Sequence, residues 1–401
     1  MSKVQKYKSR RRNKKVFKIK VLVGIFILSA AFLLIIHNIK VNKISNMSKN
    51  ERISYELENM SIEEKINQMI FLALRYGIDD GSISELTELK EKDKKFLRTY
   101  NPGGIILFSE NINNKKQLEK LVDDINKCYK DIGVFIGIDE EGGDISNINI
   151  YEKTPSAKEI GRTGDSENVY LIASSIANNL NEVGINVNFA PVCDIEINKD
   201  VIGTRSFGED VDIVTEFSTK FINGLSDNNI IGCAKHFPGY GAVSGDSHLL
   251  LPTLEVSKET IYNRELKPFI NSIESGIEMI MVGHMNVTEL DNGSISSLSN
   301  KIVTSLLKEE LKFEGIVITD SLEMKAITDK YSTSEAVKMA INAGCDMILM
   351  PLTVVPQINS SIYDELIKDI LTYINDGEID IERIDDSVRR ILNVKWDNGV
   401  L

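Results

Sequence analysis

Eight short apolar runs, each followed by a stretch long enough for a helix, dominate the sequence between residues 60 and 350. They are Gln68 to Leu74, Gly104 to Phe108, Val134 to Ile138, Val187 to Pro191, Ile230 to Ala234, Met279 to Gly283, Gly315 to Thr319 and Asp346 to Met350. Such runs, with almost no polar alternation, are what parallel strands covered on both faces require. Several intervening stretches carry helix boundaries: Ser166 to Glu182 closing at Gly184, Asp212 to Leu225, and a Ser332-x-x-Glu335 capping box leading to Gly344. The pattern predicts an α/β chain folded as a single (β/α)8 TIM-type barrel, with catalytic residues at the C-terminal ends of the strands. An open doubly wound sheet is the alternative. No Gly-x-Gly-x-x-Gly follows any of the runs, which argues against a dinucleotide site.

Ahead of the barrel the sequence changes character. Residues 1–20 hold ten Lys or Arg and no acid, and Val21 to Ile36 follow without a charge. As a helix this stretch spans about 24 Å, near the roughly 30 Å of a hydrocarbon core, with Lys20 and Lys40 placed to reach the interfaces. The expected organisation is a basic cytoplasmic tail (1–20), a single-pass transmembrane signal anchor (21–38), a linker (39–58) and an extracytoplasmic barrel (59–401). Ser29-Ala30-Ala31 offers the alternative of secretion after signal cleavage.

The chain carries −12, and removing the ten N-terminal cations leaves −22 on residues 21–401. So acidic a body excludes nucleic acid as a partner and repels anionic polymers at long range. Cys128, Cys193, Cys233 and Cys345 have no CxxC spacing and lie in apolar surroundings, as buried small hydrophobes do.

Chemistry collects just beyond the strands. Of four histidines, His236, His248 and His284 all fall at or after the fifth and sixth runs. Lys235-His236-Phe237-Pro238-Gly239-Tyr240-Gly241 leads into Asp246-Ser247-His248. There the Asp246 carboxylate is close enough in sequence to hold the His248 imidazole in one tautomer, as acid/base histidines are tuned. Asp320 ends the seventh run, where a carboxylate facing the barrel mouth can act as a nucleophile. Asp139-Glu140-Glu141-Gly142-Gly143 ends the third, with Asp139 able to accept hydrogen bonds and the glycines allowing close backbone approach. Arg205, beyond the fourth run, has two readings: its fork of donors grips a ligand, or it pins its own loop through an ion pair. The acids have no histidine at ligand spacing, so no metal is expected.

Assembled in this order, the motifs resemble family 3 glycoside hydrolases, and within them the bacterial β-N-acetylglucosaminidases of cell-wall turnover. Lys235-His-Phe-Pro-Gly-x-Gly with Asp246-Ser-His248, the Thr319-Asp-Ser-Leu-x-Met nucleophile motif, Asn188-Phe-Ala-Pro-Val and Ile202-Gly-x-Arg-Ser-Phe-Gly carry the likeness. The resemblance implies a retaining hydrolase with Asp320 as nucleophile and His248, supported by Asp246, as acid/base. It also implies that Asp139, Arg205, Lys235 and His236 bind the terminal sugar of an amino-sugar glycan, with no metal or organic cofactor; a monomer is the expected state. A sugar-binding protein without catalysis, a β-glucosidase and a glycoside phosphorylase are the competing readings. Asp144 and Asn147 stand where the family writes two arginines, the second of which contacts substrate, and Tyr240 stands where it writes His. A second domain, present in some relatives, is not expected.

Overall fold

The structure is a computed structural model that describes residue 44, residues 46–244 and 251–350, residues 353, 355 and 356, and residues 359–401. The expected membrane anchor and the Asp246/His248 pair lie outside the described residues. Among the described residues no helix is long and apolar enough to cross a membrane.

Asn59–Leu401 forms one compact unit, and the residues before it another. In the latter, Lys49–Asn59 is helical, and the Ser48 N–H and hydroxyl both donate to Glu51 at its start. The larger unit opens with the Ser61–Glu64 capping box and the helix Ile62–Gln68.

Eight parallel strands then follow in one sheet: β1 (Ile70–Ala73), β2 (Gly104–Ile106), β3 (Phe135–Ile138), β4 (Val187–Asn188), β5 (Ile231–Phe237), β6 (Met279–Val282), β7 (Ile316–Thr319) and β8 (Ile348–Leu349). Each sits within or across one of the eight apolar runs. Sequential neighbours pair from β1 to β7, and β8 pairs with β1 through Ile70↔Ile348. A parallel bridge between Ile318 and Met347, with the Met347 N–H donating to the Val317 carbonyl at 3.1 Å, brings β7 back to β8 and closes the barrel.

Large and small side chains alternate inside it, as a closed sheet demands. The Phe71 and Phe189 rings meet edge to face at 5.2 Å. They fit because β2 and β3 offer glycines: a Cβ on Gly104 would stand 2.5 Å from the Phe71 ring, and one on Gly137 would stand 2.8 Å from Phe189.

Crossover helices include α1 (Glu91–Tyr100), α2 (Lys115–Asn126), α3 (Ser166–Glu182), α4 (Val211–Ser226), α5 (Lys267–Glu274), the π-helical α6 (Lys301–Glu310) and α7 (Thr333–Ala343), followed by α8 (Ser360–Asn375) and α9 (Ile381–Asp397). The Ser332 capping box opens α7, and Gly344, at φ +115°, ends it in the left-handed region that favours glycine. All four cysteines are buried and unpaired.

Two strand ends differ from the sequence reading. The fourth stops at Asn188 rather than Pro191, because the Ala190 N–H turns back to the Asn188 carbonyl at 2.8 Å instead of joining the ladder. The fifth runs past Ala234 to Phe237. Hydropathy ends where Lys235 begins, yet the backbone goes on pairing: the Lys235 carbonyl accepts from Cys193 N–H at 2.6 Å.

Candidate active site

The C-terminal ends of the strands surround a cavity of about 420 Å³. Five residues singled out from the sequence line it together: Asp139, Arg205, Lys235, His236 and Asp320.

Lys235 and His236 both reach the cavity because the β5–β6 register slips between Met281 and Val282, which pair with Lys235 and Phe237 and leave His236 unpaired. An irregularity of this kind re-aims a side chain that strict alternation would bury. Lys235 Nζ lies 2.6 Å from Asp139 Oδ1 and 2.7 Å from Glu141 Oε1, with its side chain 3% exposed. Burial by itself lowers its pKa, but the two carboxylates outweigh that and hold it above the ordinary lysine value.

Glu141 stands between two cations. Its carboxylate accepts from Arg205 Nε at 2.9 Å and Nη2 at 2.8 Å, a side-on bidentate pair, besides meeting Lys235. Burial opposes ionisation, yet Lys235 and Arg205 pull its pKa down to about 2. Arg205 thus forms the ion pair that one sequence reading expects, and it lines the cavity as well.

His236 is held from behind by Asp194, which is fully buried. Asp194 Oδ2 lies 2.7 Å from His236 Nδ1, and Asp194 Oδ1 accepts from the Tyr240 N–H at 2.6 Å. On the far side of the ring, Nε2 lies 3.5 Å from Arg205 Nη2.

Asp320 follows β7, its N–H donating to the Val282 carbonyl at 2.9 Å. Its Oδ1 accepts from the Ser321 N–H at 2.7 Å. Burial alone would raise its pKa; His284, His236, the Ser321 N–H and Lys235 turn the shift downward, below the usual aspartate range. His284 also lines the cavity and is itself buried, which lowers its pKa. Nε2 donates to the Ser321 carbonyl at 2.9 Å, and Nδ1 lies 2.7 Å from the Ser297 hydroxyl.

The positions where this chain departs from the family arginines have distinct roles. Asn147 lines the cavity with its amide bonded on both sides: Nδ2 donates to the Asp139 carbonyl at 2.7 Å and Oδ1 accepts from Ser109 N–H at 3.2 Å. Asp144 is outside the cavity, exposed, and 3.7 Å from Lys153. Beneath them the buried Glu140 accepts from Ser146 Oγ, Asn147 N and Ile148 N, tying the hairpin of Glu140–Gly142 with Ile145–Ser146 to itself.

Glu141 and Asp194 were not singled out in the sequence, although each left a signal. Glu141 is two residues beyond Asp139, so in extended chain it shares a face with it. Asp194 is a lone acid in the apolar stretch Phe189–Ile195, and a buried acid needs a partner.

Residues 61–394 match the Glycosyl hydrolase family 3 N terminal domain, and the chain belongs to that family. It is 28% identical over 365 residues to Beta-hexosaminidase A of Pseudoalteromonas piscicida, covering 84% of this chain and 61% of the relative. It is 31% identical over 265 residues to the Beta-hexosaminidase of Glaesserella parasuis, covering 66% of this chain and 77% of the relative. Among solved structures, a glycoside hydrolase family 3 beta-N-acetylglucosaminidase from Paenibacillus sp. matches with a TM-score of 0.78 at 30% identity, over 85% of this chain and 63% of that one. A glycosyl hydrolase of the same family from Mycobacterium smegmatis matches with a TM-score of 0.74 at 28% identity, over 84% and 98%. The chain thus spans about three fifths of the Pseudoalteromonas and Paenibacillus proteins and nearly all of the mycobacterial one.

Proposed function

We propose that the chain is a retaining β-N-acetylhexosaminidase that releases terminal β-linked N-acetylglucosamine from amino-sugar glycans such as peptidoglycan fragments. The observation that carries this reading is the cavity itself. Asp320, held below the ordinary aspartate range, shares it with Asp139, Arg205, Lys235 and His236, in a family whose matching relatives bear beta-hexosaminidase names.

In the proposed reaction an Asp320 carboxylate oxygen attacks the anomeric carbon. The glycosidic C–O bond breaks, and its electron pair leaves with the aglycone oxygen, which takes a proton from His248. Water, giving its proton back to His248, then displaces Asp320, so two inversions leave net retention. Asp246 orients His248, while Asp139, Arg205, Lys235 and His236 hold the ring. The barrel acts as a monomer outside the cell membrane, tethered by residues 21–38. Fractionation that put the full chain in the cytosol would overturn the location alone.

The test of activity is hydrolysis of a chromogenic β-N-acetylglucosaminide against the matching β-glucoside by the full chain, with and without added phosphate. The acetamido sugar is expected to be strongly preferred, free sugar rather than sugar 1-phosphate to be the product, and Asp320→Asn and His248→Ala each to lower kcat, the former by about a thousandfold or more. Equal turnover of both glycosides, or unchanged turnover in Asp320→Asn, contradicts the proposal.

A further inference from the structure

Asp194 does not line the cavity, yet it is the least exposed carboxylate beside it and faces the turn that follows β5. Two of its donors are set by covalent structure: the backbone N–H of Tyr240 at 2.6 Å and that of His236 at 3.3 Å to Oδ2. Both Asp194 oxygens therefore act as acceptors. The third contact, 2.7 Å between Oδ2 and His236 Nδ1, then requires the proton to sit on Nδ1. The opposite face of the ring gives an independent constraint. Arg205 Nη2 stands 3.5 Å from Nε2, and a guanidinium has only donors, so a proton on Nε2 would set donor against donor. A lone pair on Nε2 fits both contacts.

We propose that Asp194 is a positioning residue for substrate binding, which fixes His236 as the Nδ1–H tautomer and so presents Nε2 to the cavity as a hydrogen-bond acceptor. Rather than a second source of acid, His236 is then a fixed acceptor for a ligand hydroxyl, set among donors: Lys235 on its own strand and Arg205 across from it. Its assignment to a sugar hydroxyl rests on the reading of the cavity as a glycosidase site. The Tyr240 bond adds a second duty, since the same carboxylate anchors the start of the loop that leads towards residues 245–250.

Replacing Asp194 by Asn puts an NH2 group against one of those donors. Turning the amide oxygen to Tyr240 N–H leaves the NH2 facing Nδ1, which must then accept, and the proton moves to Nε2. A tautomer fixed wrongly by an Asp-to-Asn change keeps the geometry but loses the role.

The chain has four histidines, so full-length protein labelled with 15N-histidine gives a spectrum simple enough to assign, with His236→Gln identifying the resonance of interest. The expected result in wild type is a protonated Nδ1 and an unprotonated Nε2 on His236 near neutral pH, reversed in Asp194→Asn. Kinetics with the chromogenic β-N-acetylglucosaminide should show KM raised about tenfold, the worth of one hydrogen bond, with kcat changed less than about threefold. In a His236→Gln background Asp194→Asn should add no further rise in KM, as expected of two residues acting through one contact. A wild-type spectrum with the proton on Nε2 overturns the inference even if Asp194→Asn fails to fold. A loss confined to kcat overturns it too, since that would make the pair a proton-transfer device. Absence of any glycoside hydrolysis by wild type would count against the sugar-site reading, whereas the spectrum reports the tautomer without turnover.

Discussion

Arg205 and Glu141 meet side-on, with guanidinium Nε and Nη2 at 2.9 and 2.8 Å from the two carboxylate oxygens, and Lys235 closes on the same carboxylate at 2.7 Å. One buried acid thereby fixes two cations that come from different strands, β4's loop and β5. Removing it leaves Arg205 without its bidentate partner and Lys235 with Asp139 alone, in a poorly hydrated place, which is where ion pairs matter most.

Glu141→Gln is therefore expected to destabilise the fold by about 3 kcal/mol at neutral pH and to raise KM, read by chemical denaturation and steady-state kinetics. The pH dependence has a definite sign. Because the folded-state pKa of Glu141 is depressed to about 2, its contribution is fully present above the ordinary glutamate value and is lost as pH falls towards 2. The wild type should lose stability across that acid window more steeply than the variant; parallel curves would show that Glu141 is not the hub.

Asn147→Ala removes the bonds to the Asp139 carbonyl and the Ser109 N–H. Each is worth about 1 kcal/mol, so a stability loss of roughly 1–2 kcal/mol is expected, with a KM increase because Asp139 is one of the two acids that hold Lys235. An unchanged KM would mean that the hairpin carries Asp139 without help from Asn147.

Gly241 permits a close approach that no other residue allows. A Cβ there would lie 1.8 Å from the Ile195 carbonyl oxygen, a backbone atom that cannot step aside alone. Gly241→Ala is expected to push the loop off the segment carrying Asp194, at a cost of about 1–3 kcal/mol, and to weaken substrate binding. Thermal melts and KM check both parts.

At the opposite end of the barrel, Lys395 from α9 is completely buried, donating to Gln68 Oε1 at 2.8 Å and the Gly133 carbonyl at 2.6 Å, with the Phe135 ring 5.1 Å away. Burial pushes its pKa down to about 7. A lysine that is harder to protonate when folded makes the unfolded chain the better proton acceptor between pH 7 and its ordinary value. Wild-type stability should thus rise from about pH 7 to pH 10 through this residue, and Lys395→Met should flatten that rise. A rise of the same size in the variant would assign it to another group.

The sequence made the barrel legible because eight buried parallel strands leave eight uninterrupted apolar runs, and only their ends were misplaced. β5 shows why: Lys235 and His236 break the hydropathy, but partners far away in sequence, Asp139, Glu141 and Asp194, let them stay buried in the strand. The cavity residues were legible where a charged side chain follows an apolar run, as Asp139, Lys235 and Asp320 do. Asp194 and Glu141 were not, since what marks each is its pairing with a side chain distant in sequence, and such pairing appears only in three dimensions. Arg205 fitted two readings by sequence; Glu141 supplies the partner for the ion pair, and the same side chain lines the cavity as the ligand reading requires.

The most direct measurement on the account as a whole is covalent trapping at Asp320. The full chain would be incubated with an activated 5-fluoro-β-N-acetylglucosaminide, a substrate whose glycosyl-enzyme breaks down slowly, then weighed intact and mapped by peptide mass spectrometry. The account expects one added sugar, carried on the peptide containing Asp320 and absent in Asp320→Asn. A sugar found on Asp139 or Glu141 instead, or turnover with inverted anomeric configuration and no adduct, would contradict it.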